Sequence, residues 1–266
     1  LATLNLEGLG CEVSAIRRRG IRAVEPAPET QLEEGDVVVV LGSPEAVSAA
    51  VCNFPTINDA VQTVISVIQL GIPIARVEFI DEMSVKAINQ YSKLNLTIAP
   101  TLFFEFQGSP TSVKEQSEVV MGIAHDNKGN DFEWATKPED RNRLWQARHN
   151  AYFACLQLQP GCRAITTDVC VPISRLADCV AKTRELLDQS RLINAILGHV
   201  GDGNFHVLIA TDPNKPEDAI EAERLNTSIV EIALAMNGTC TGEHRIGLIL
   251  ALALNGHPQR GRAIGL

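Results

Sequence analysis

The sequence contains no apolar run long enough to cross a membrane as a helix. The longest runs are residues 37–41 and 248–254, whereas a transmembrane helix needs roughly 20 consecutive apolar residues. The chain begins with Leu1 rather than Met, and no signal or transit segment follows it. The sequence therefore predicts a chain without a transmembrane segment and suggests a fragment.

Basic residues are also scarce. The chain has 23 Lys and Arg against 32 Asp and Glu, for a formal net charge of −9. Nucleic acid binding needs a basic surface to meet the phosphates. Nucleic acid is therefore excluded as the main partner.

Signals for paired cysteines are missing as well. The seven cysteines are an odd number, and no CxxC pair occurs. A disulfide framework or a cysteine-rich zinc site would show paired, regular spacing. We expect reduced, mostly buried thiols in a cytosolic or matrix-like compartment.

The first 50 residues predict a small β-rich unit. Short strands are expected at residues 11–16, 21–24 and 37–41, separated by turn residues. Ser43 followed by Pro44 is typical of a helix start. A helix is therefore predicted at residues 46–50.

From residue 56 onward, stretches with helical apolar spacing alternate with strand-like stretches. This alternation predicts an α+β fold in which helices cover one face of a largely antiparallel sheet. The predicted helices are 56–71, 81–91, 111–126, 139–156, 175–189 and 216–236, and the predicted strands are 73–79, 101–106, 132–135, 166–172, 193–199 and 204–210.

A glycine-rich motif, GHVGDGNFH, occupies residues 198–206. Residues seven apart on a straight strand point to opposite faces of a sheet. His199 and His206 can meet only if the intervening Gly-Asp-Gly-Asn reverses the backbone, which these residue types favour. The pattern is consistent either with two metal ligands at the mouth of a loop or with ordinary core histidines.

A second motif, NGTCTGEH, occupies residues 237–244. Glu243 offers a carboxylate, and His244 an imidazole that titrates near neutral pH. Together with His199 and His206, Glu243 completes a ligand set suited to zinc, manganese or iron acting as a Lewis acid. The alternative for Glu243 is a surface carboxylate in a turn.

Both motifs resemble the C-terminal domain of FAD-linked oxidases, in the vanillyl-alcohol-oxidase-like superfamily, and most of all the D-lactate dehydrogenase (cytochrome) type. The resemblance runs over about residues 44–248, and residues 249–266 form a divergent tail. Five further stretches support it: RVEFIDE, YSKLN, APTLFFEFQG, LWQARHNA and TDVCVPIS.

This resemblance implies a ferredoxin-like cap domain, here assigned to residues 51–248, that covers an FAD held by a separate N-terminal domain. It implies that His199, His206 and Glu243 hold a divalent metal, zinc or manganese, and that His244 is the general base. It implies that Arg148 clamps the substrate carboxylate, although pairing with a nearby acidic residue on the helix surface is the alternative. Three residues are placed around the ligands or on the flavin side: Asp168, Asn204 and Gly242.

The sequence also departs from the family pattern. Arg245 stands where the family has a glycine, and the residues after Gly247 do not resemble its closing helix. Residues before 44 leave no room for an FAD domain. We therefore expect that this chain alone does not oxidise D-lactate.

The N-terminal stretch has a resemblance of its own. CEVSAIRRRG and the turn LEEGD before a valine-rich strand are similar to the C-terminal regulator-of-potassium-conductance (TrkA-C) domain. That resemblance implies a regulatory module of a potassium channel or potassium/proton antiporter, assigned to residues 1–50. Residues 43–50 fit either family, and an inactive hybrid is a third alternative.

The leading hypothesis is the substrate and metal domain of a flavin-dependent D-2-hydroxy-acid dehydrogenase. It would oxidise D-lactate to pyruvate, with hydride transfer to FAD and a cytochrome or quinone as electron acceptor. The expected location is the cytoplasm or the inner-membrane periphery in a bacterium, or the mitochondrion in a eukaryote.

Overall fold

The computed structural model of the chain describes residues 11–18, 21–24, 31, 37–42 and 46–240. A three-stranded antiparallel sheet consists of β1 (Cys11–Arg18), β2 (Ile21–Val24) and β3 (Val37–Gly42), in the order β2-β1-β3. These are the strands that the sequence predicts. The three predicted strands are therefore confirmed.

The helix predicted at residues 46–50 is wrong. These residues belong to β4 (Ala46–Asn53), and the predicted boundary between residues 50 and 51 falls inside this strand. β4 pairs along its whole length with β6 (Thr101–Gly108), while β7 (Asn130–Ala135) pairs on its other side. These two ladders override the local helix-start signal, because secondary-structure propensity is weak compared with tertiary pairing.

The other predicted elements are present, with ends that shift by up to three residues. The remaining strands are β5 (Arg76–Ile80), β8 (Arg163–Cys170), β9 (Asn194–Gly198), β10 (Asn204–Thr211) and the unpredicted β11 (Thr239–Cys240). The helices are α1 (Ile57–Gln69), α2 (Glu82–Ser92), α3 (Pro110–Asp126), α4 (Pro138–His149), α5 (Ala151–Gln157), α6 (Leu176–Asp188) and α7 (Pro216–Ala235).

The helix predicted at residues 139–156 is divided into α4 and α5. Asn150 ends the first helix and begins the second, with its N–H bonded to the Gln146 carbonyl and its own carbonyl accepting from Ala154. Asparagine is a poor residue for a helix interior because its side chain competes for backbone hydrogen bonds.

Eight of the strands form one sheet in the order β11-β8-β10-β9-β5-β6-β4-β7, and every pair is antiparallel. This confirms the α+β prediction. The order shows a duplication: β4-α1-β5-β6-α3-β7 and β8-α6-β9-β10-α7-β11 each repeat the ferredoxin-like βαββαβ arrangement. The two halves meet where β5 pairs with β9.

Helices cover both faces of this sheet, not the one face that the sequence analysis expects. Alternate residues of each strand point to opposite sides, so Phe104 packs into the core beneath α1, α3, α6 and α7, whereas Phe103 packs beneath α2, α4 and α5. The second core gains Trp145, whose ring centre lies 6.2 Å from that of Phe103. A strand buried on both faces lacks the apolar–polar alternation that would indicate one covered face.

Asp81 links the two halves of the sheet by hydrogen bonds. It follows β5 directly, and its carboxylate accepts hydrogen bonds from the backbone N–H groups of Ser84 (2.8 Å) and Ile196 (2.7 Å). The first bond caps α2, and the second holds β9.

No helix within the described ranges is both long enough and apolar enough to span a membrane.

Candidate active site

The loop between β9 and β10 brings the two histidines of the first motif together. After His199, a short 3-10 turn covers Val200–Asp202, and Gly203 then takes a left-handed conformation with φ of 75°. A Cβ on Gly203 would lie 2.2 Å from the Val171 carbonyl oxygen. Only glycine fits both this φ and this close approach.

The loop therefore reverses the chain as the sequence predicts. His206 lies on β10 opposite Leu197 of β9. The ring centres of His199 and His206 are 5.7 Å apart, with the two ring planes at 88°.

Glu78, on the neighbouring strand β5, holds the first histidine. Its Oε1 lies 2.6 Å from His199 Nδ1, and its Oε2 accepts a hydrogen bond of 2.9 Å from Arg148 Nη2. Glu78 is only 2% exposed, whereas more than half of the His199 side chain is exposed. The buried carboxylate therefore anchors an imidazole whose opposite edge faces outward.

Asp168 lies against the second histidine. It lies directly opposite His206 across the β8–β10 ladder, with Oδ1 3.2 Å from His206 Nδ1. The same oxygen accepts a hydrogen bond of 2.7 Å from Asn204 Nδ2. Each histidine thus has its Nδ1 against a carboxylate, which leaves Nε2 on the far edge of each ring.

The charges of the site follow from these contacts. The hydrogen bond with Glu78 raises the pKa of His199 above its ordinary value, although partial burial opposes the shift. Burial lowers the pKa of Arg148, and the nearby Glu78 carboxylate partly offsets this effect.

Arg148 lies in the interior, not on the helix surface. It is 8% exposed, and its Nε is buried without a hydrogen-bond partner in the protein. Arg148 pairs with the acidic residue Glu78, but in the interior and not on the helix surface as the sequence alternative has it, and its contact with a substrate carboxylate stays a prediction. A second arginine lies closer to solvent: Arg76 stacks over the Trp145 ring at 4.2 Å and pairs with Glu105 at 3.2 Å.

The second motif cannot be placed against the first, because Gly242, Glu243, His244 and Arg245 lie outside the described residues. Over residues 46–240 and the short N-terminal strands, no three His, Cys, Asp or Glu side chains group as a metal site. The pair His199 and His206 still fits a divalent metal. Metal-binding histidines commonly give their second ring nitrogen to a carboxylate, and here each Nδ1 lies within 3.2 Å of one.

Glu78 is the residue that the sequence analysis missed. The signal is present in the strand Arg76–Ile80, where buried Val77 and Phe79 flank a glutamate. Glutamate is rarely buried unless it is paired. A carboxylate within an otherwise buried strand therefore indicates a buried partner, but not which one.

Comparison with known proteins identifies the family. The family "FAD linked oxidases, C-terminal domain" matches residues 43–255, and the TrkA-C domain matches residues 1–53. Because the first match covers most of the sequence, the chain belongs to the family of C-terminal domains of FAD-linked oxidases.

Two curated relatives carry related names. The chain is 47% identical over 207 residues to "Probable D-lactate dehydrogenase, mitochondrial" of Danio rerio, a match that covers 78% of this chain and 42% of the relative. It is 46% identical over 204 residues to "D-lactate dehydrogenase [cytochrome], mitochondrial" of Arabidopsis thaliana, covering 77% and 36%. The chain therefore matches less than half the length of these relatives.

A solved structure shares the fold. The chain superposes on 4-ethylphenol oxidase from Gulosibacter chungangensis with a TM-score of 0.58 at 12% identity, covering 86% of this chain and 56% of the other. At this identity the likeness shows the fold alone.

Proposed function

We propose that this chain is the substrate and metal domain of an FAD-dependent D-2-hydroxy-acid dehydrogenase that oxidises D-lactate to pyruvate. The observation that carries the proposal is the pair of imidazoles across the glycine loop, each with Nδ1 against a carboxylate. The names of the relatives from Danio rerio and Arabidopsis thaliana support D-lactate as the substrate.

His199 and His206 would hold a divalent metal, zinc or manganese, with Glu243 as the third ligand. Two imidazoles and one carboxylate leave coordination positions open for a substrate, as in catalytic metal sites. When bound, the metal would polarise the substrate hydroxyl, and FAD, held mainly by another domain, would accept the hydride.

The remaining residues of the chain have proposed tasks in binding and proton transfer. Arg148 supplies positive charge for the substrate carboxylate from the floor of the site, and His244 takes the hydroxyl proton. Asp168 and Asn204 are proposed to position His206. The hydrogen bond of 2.7 Å from Asn204 Nδ2 to Asp168 Oδ1 favours this role over contact with the flavin. Gly242 is proposed for the cofactor side.

The electron acceptor and the location are proposed from the relatives. The printed name "D-lactate dehydrogenase [cytochrome], mitochondrial" supports a cytochrome acceptor, with a quinone as the alternative. It also supports a mitochondrial location in a eukaryote. In a bacterium we propose the cytoplasm or the periphery of the inner membrane.

Metal binding tests the proposal most directly. Isothermal titration with Zn²⁺ and Mn²⁺ should show one site in the unaltered chain and its loss in the double variant His199→Ala/His206→Ala. The matched control is His125→Ala/His149→Ala, which removes two exposed histidines from α3 and α4 and should keep the affinity. Equal affinity in all three proteins would show that the metal assignment is wrong.

Substrate binding gives the second test. D-lactate should bind the metal-loaded chain and not the metal-free chain, because the proposed metal contacts its hydroxyl and carboxylate. L-lactate serves as the control ligand, since it carries the same groups with the opposite hand. Binding of D-lactate that does not depend on metal would contradict the proposed site.

A second candidate function concerns the N-terminal part alone. The TrkA-C match over residues 1–53 supports a regulatory binding unit like those of potassium channels and antiporters. Its final residues, 46–53, form β4 within the large sheet, so the candidate rests on β1–β3. NMR shifts on addition of K⁺ or adenine nucleotide that are confined to these strands would support it, and unchanged spectra would reject it.

A further inference from the structure

We propose that Glu78 is a positioning residue that keeps the His199 proton on Nδ1, so that Nε2 is available as a metal donor. The inference rests on the proposed function, because it concerns one of the proposed metal ligands. It assigns a task to a residue that the glycine-rich motif does not contain.

The geometry begins with the strand register. Phe79 of β5 lies opposite Gly198 of β9, so the preceding residue, Glu78, comes beside His199. The short Oε1–Nδ1 distance of 2.6 Å requires a proton between the two atoms. At a pH at which the ring is neutral, the buried carboxylate is acceptor-only, so this proton belongs to Nδ1.

Arg148 engages the other oxygen of the same carboxylate. A guanidinium is a donor only, and Arg148 Nη2 occupies the other oxygen of Glu78 at 2.9 Å. Both oxygens of Glu78 therefore accept hydrogen bonds, one from each side. The Glu78 side chain is 3% exposed, so water does not compete freely for either oxygen.

The variant Glu78→Gln separates positioning from packing, because glutamine has the same shape but only one acceptor oxygen. Arg148 must still donate, so the amide oxygen turns toward Arg148 and the amide NH₂ toward His199. Nδ1 then becomes the acceptor, and the ring proton moves to Nε2. Nε2 can bind a metal only after this proton has moved back to Nδ1, so the variant binds more weakly.

The first measurement needs no metal. Imidazole ¹⁵N NMR of the metal-free chain distinguishes the two tautomers, and we expect Nδ1–H at His199 in the unaltered chain and Nε2–H in Glu78→Gln. The variant Arg148→Met keeps the carboxylate, so its His199 should keep the proton on Nδ1. This variant shows that loss of the buried ion pair is not itself the cause.

The matched control is Glu105→Gln. Glu105 lies on the next strand, β6, and pairs with Arg76 rather than with a histidine. It should leave the His199 tautomer and metal affinity unchanged. The second measurement is Zn²⁺ titration, in which Glu78→Gln should bind about 10- to 100-fold more weakly, the range for changes behind a metal-bound histidine.

The tautomer of His199 tests the task of Glu78 separately from the proposed metal site. An Nε2–H tautomer in the unaltered chain would overturn the inference even if Glu78→Gln does not fold. An unchanged tautomer or unchanged Zn²⁺ affinity in a folded Glu78→Gln would also overturn it. If His199→Ala/His206→Ala keeps its metal, the proposed metal site fails, whereas the metal-free tautomer still tests the task of Glu78.

Discussion

Replacing Asp81 tests how the two halves of the sheet are held together. Its carboxylate, 1% exposed, accepts from two buried backbone N–H groups, those of Ser84 and Ile196. Arg184 Nη1 lies 3.5 Å from the same group. Asp81→Ala leaves both N–H groups without an acceptor and removes the cap of α2.

The expected loss is large for one residue. Each buried amide that loses its partner costs about 1–3 kcal/mol, and loss of a helix cap costs about 1 kcal/mol. Because the cap and the Ser84 bond are the same contact, the two amides give a total of about 2–6 kcal/mol. Asp81→Asn keeps one acceptor oxygen and should lose about 1–3 kcal/mol.

The contribution of Asp81 to folding stability depends on pH. Burial raises the pKa of Asp81 from 3.8 to about 6, although its hydrogen bonds oppose the shift. The folded state therefore holds the proton more tightly than the unfolded state, so this contribution to stability is present below about pH 4 and is lost as pH rises to about 6. The difference between pKa values of 3.8 and about 6 corresponds to about 3 kcal/mol of stability.

Urea unfolding, followed by tryptophan fluorescence, measures both effects. The difference in free energy of unfolding between the unaltered chain and Asp81→Asn should become smaller between pH 4 and pH 7, because only the unaltered chain loses the Asp81 contribution. All other titrating groups cancel in this difference. Asp126→Ala, at an exposed position at the end of α3, is the control and should stay within about 0.5 kcal/mol. A gap that is constant or widens with pH would refute the argument.

Three further predictions concern the loop, the buried ion pair and the thiols. Gly203→Ala should lower the free energy of unfolding by at least about 2 kcal/mol, because its φ is 75° and a Cβ would meet a carbonyl oxygen; thermal unfolding equal to the unaltered chain would contradict this. Arg148→Met should lower it by about 3–5 kcal/mol by leaving Glu78 buried without its cation, and Glu78→Gln/Arg148→Met should lose less in the same urea titration. Burial raises the pKa of Cys52 and of Cys155 to about 12, so neither should react with a disulfide reagent faster than the chain unfolds; rapid labelling of the native chain would show otherwise.

Much of the fold follows from local patterns. The alternation of helix and strand, and most of their ends, can be predicted because apolar periodicity differs between the two. The loop at Gly203 follows in the same way, since glycine and aspartate favour a reversal. These signals depend on residues close together in the chain.

Other features could not be predicted from neighbours in the sequence. β4 carries a helix-start signal ahead of it, yet its pairing with β6 joins residues 48 to 62 positions apart. The covering of both sheet faces depends on where α2, α4 and α5 pack against the sheet. Such choices are made by long-range contacts, which outweigh local propensity.

The same division applies to the site. The sequence by itself determined that His199 and His206 stand at the two ends of a reversing loop, because the glycine, aspartate and asparagine residues between them favour a tight turn. Only the tertiary structure decided what stands behind them: Glu78, 121 residues from His199, and Asp168, on the neighbouring strand from His206. The physical reason is strand register, which places side chains from distant parts of the chain opposite one another and which neither motif contains.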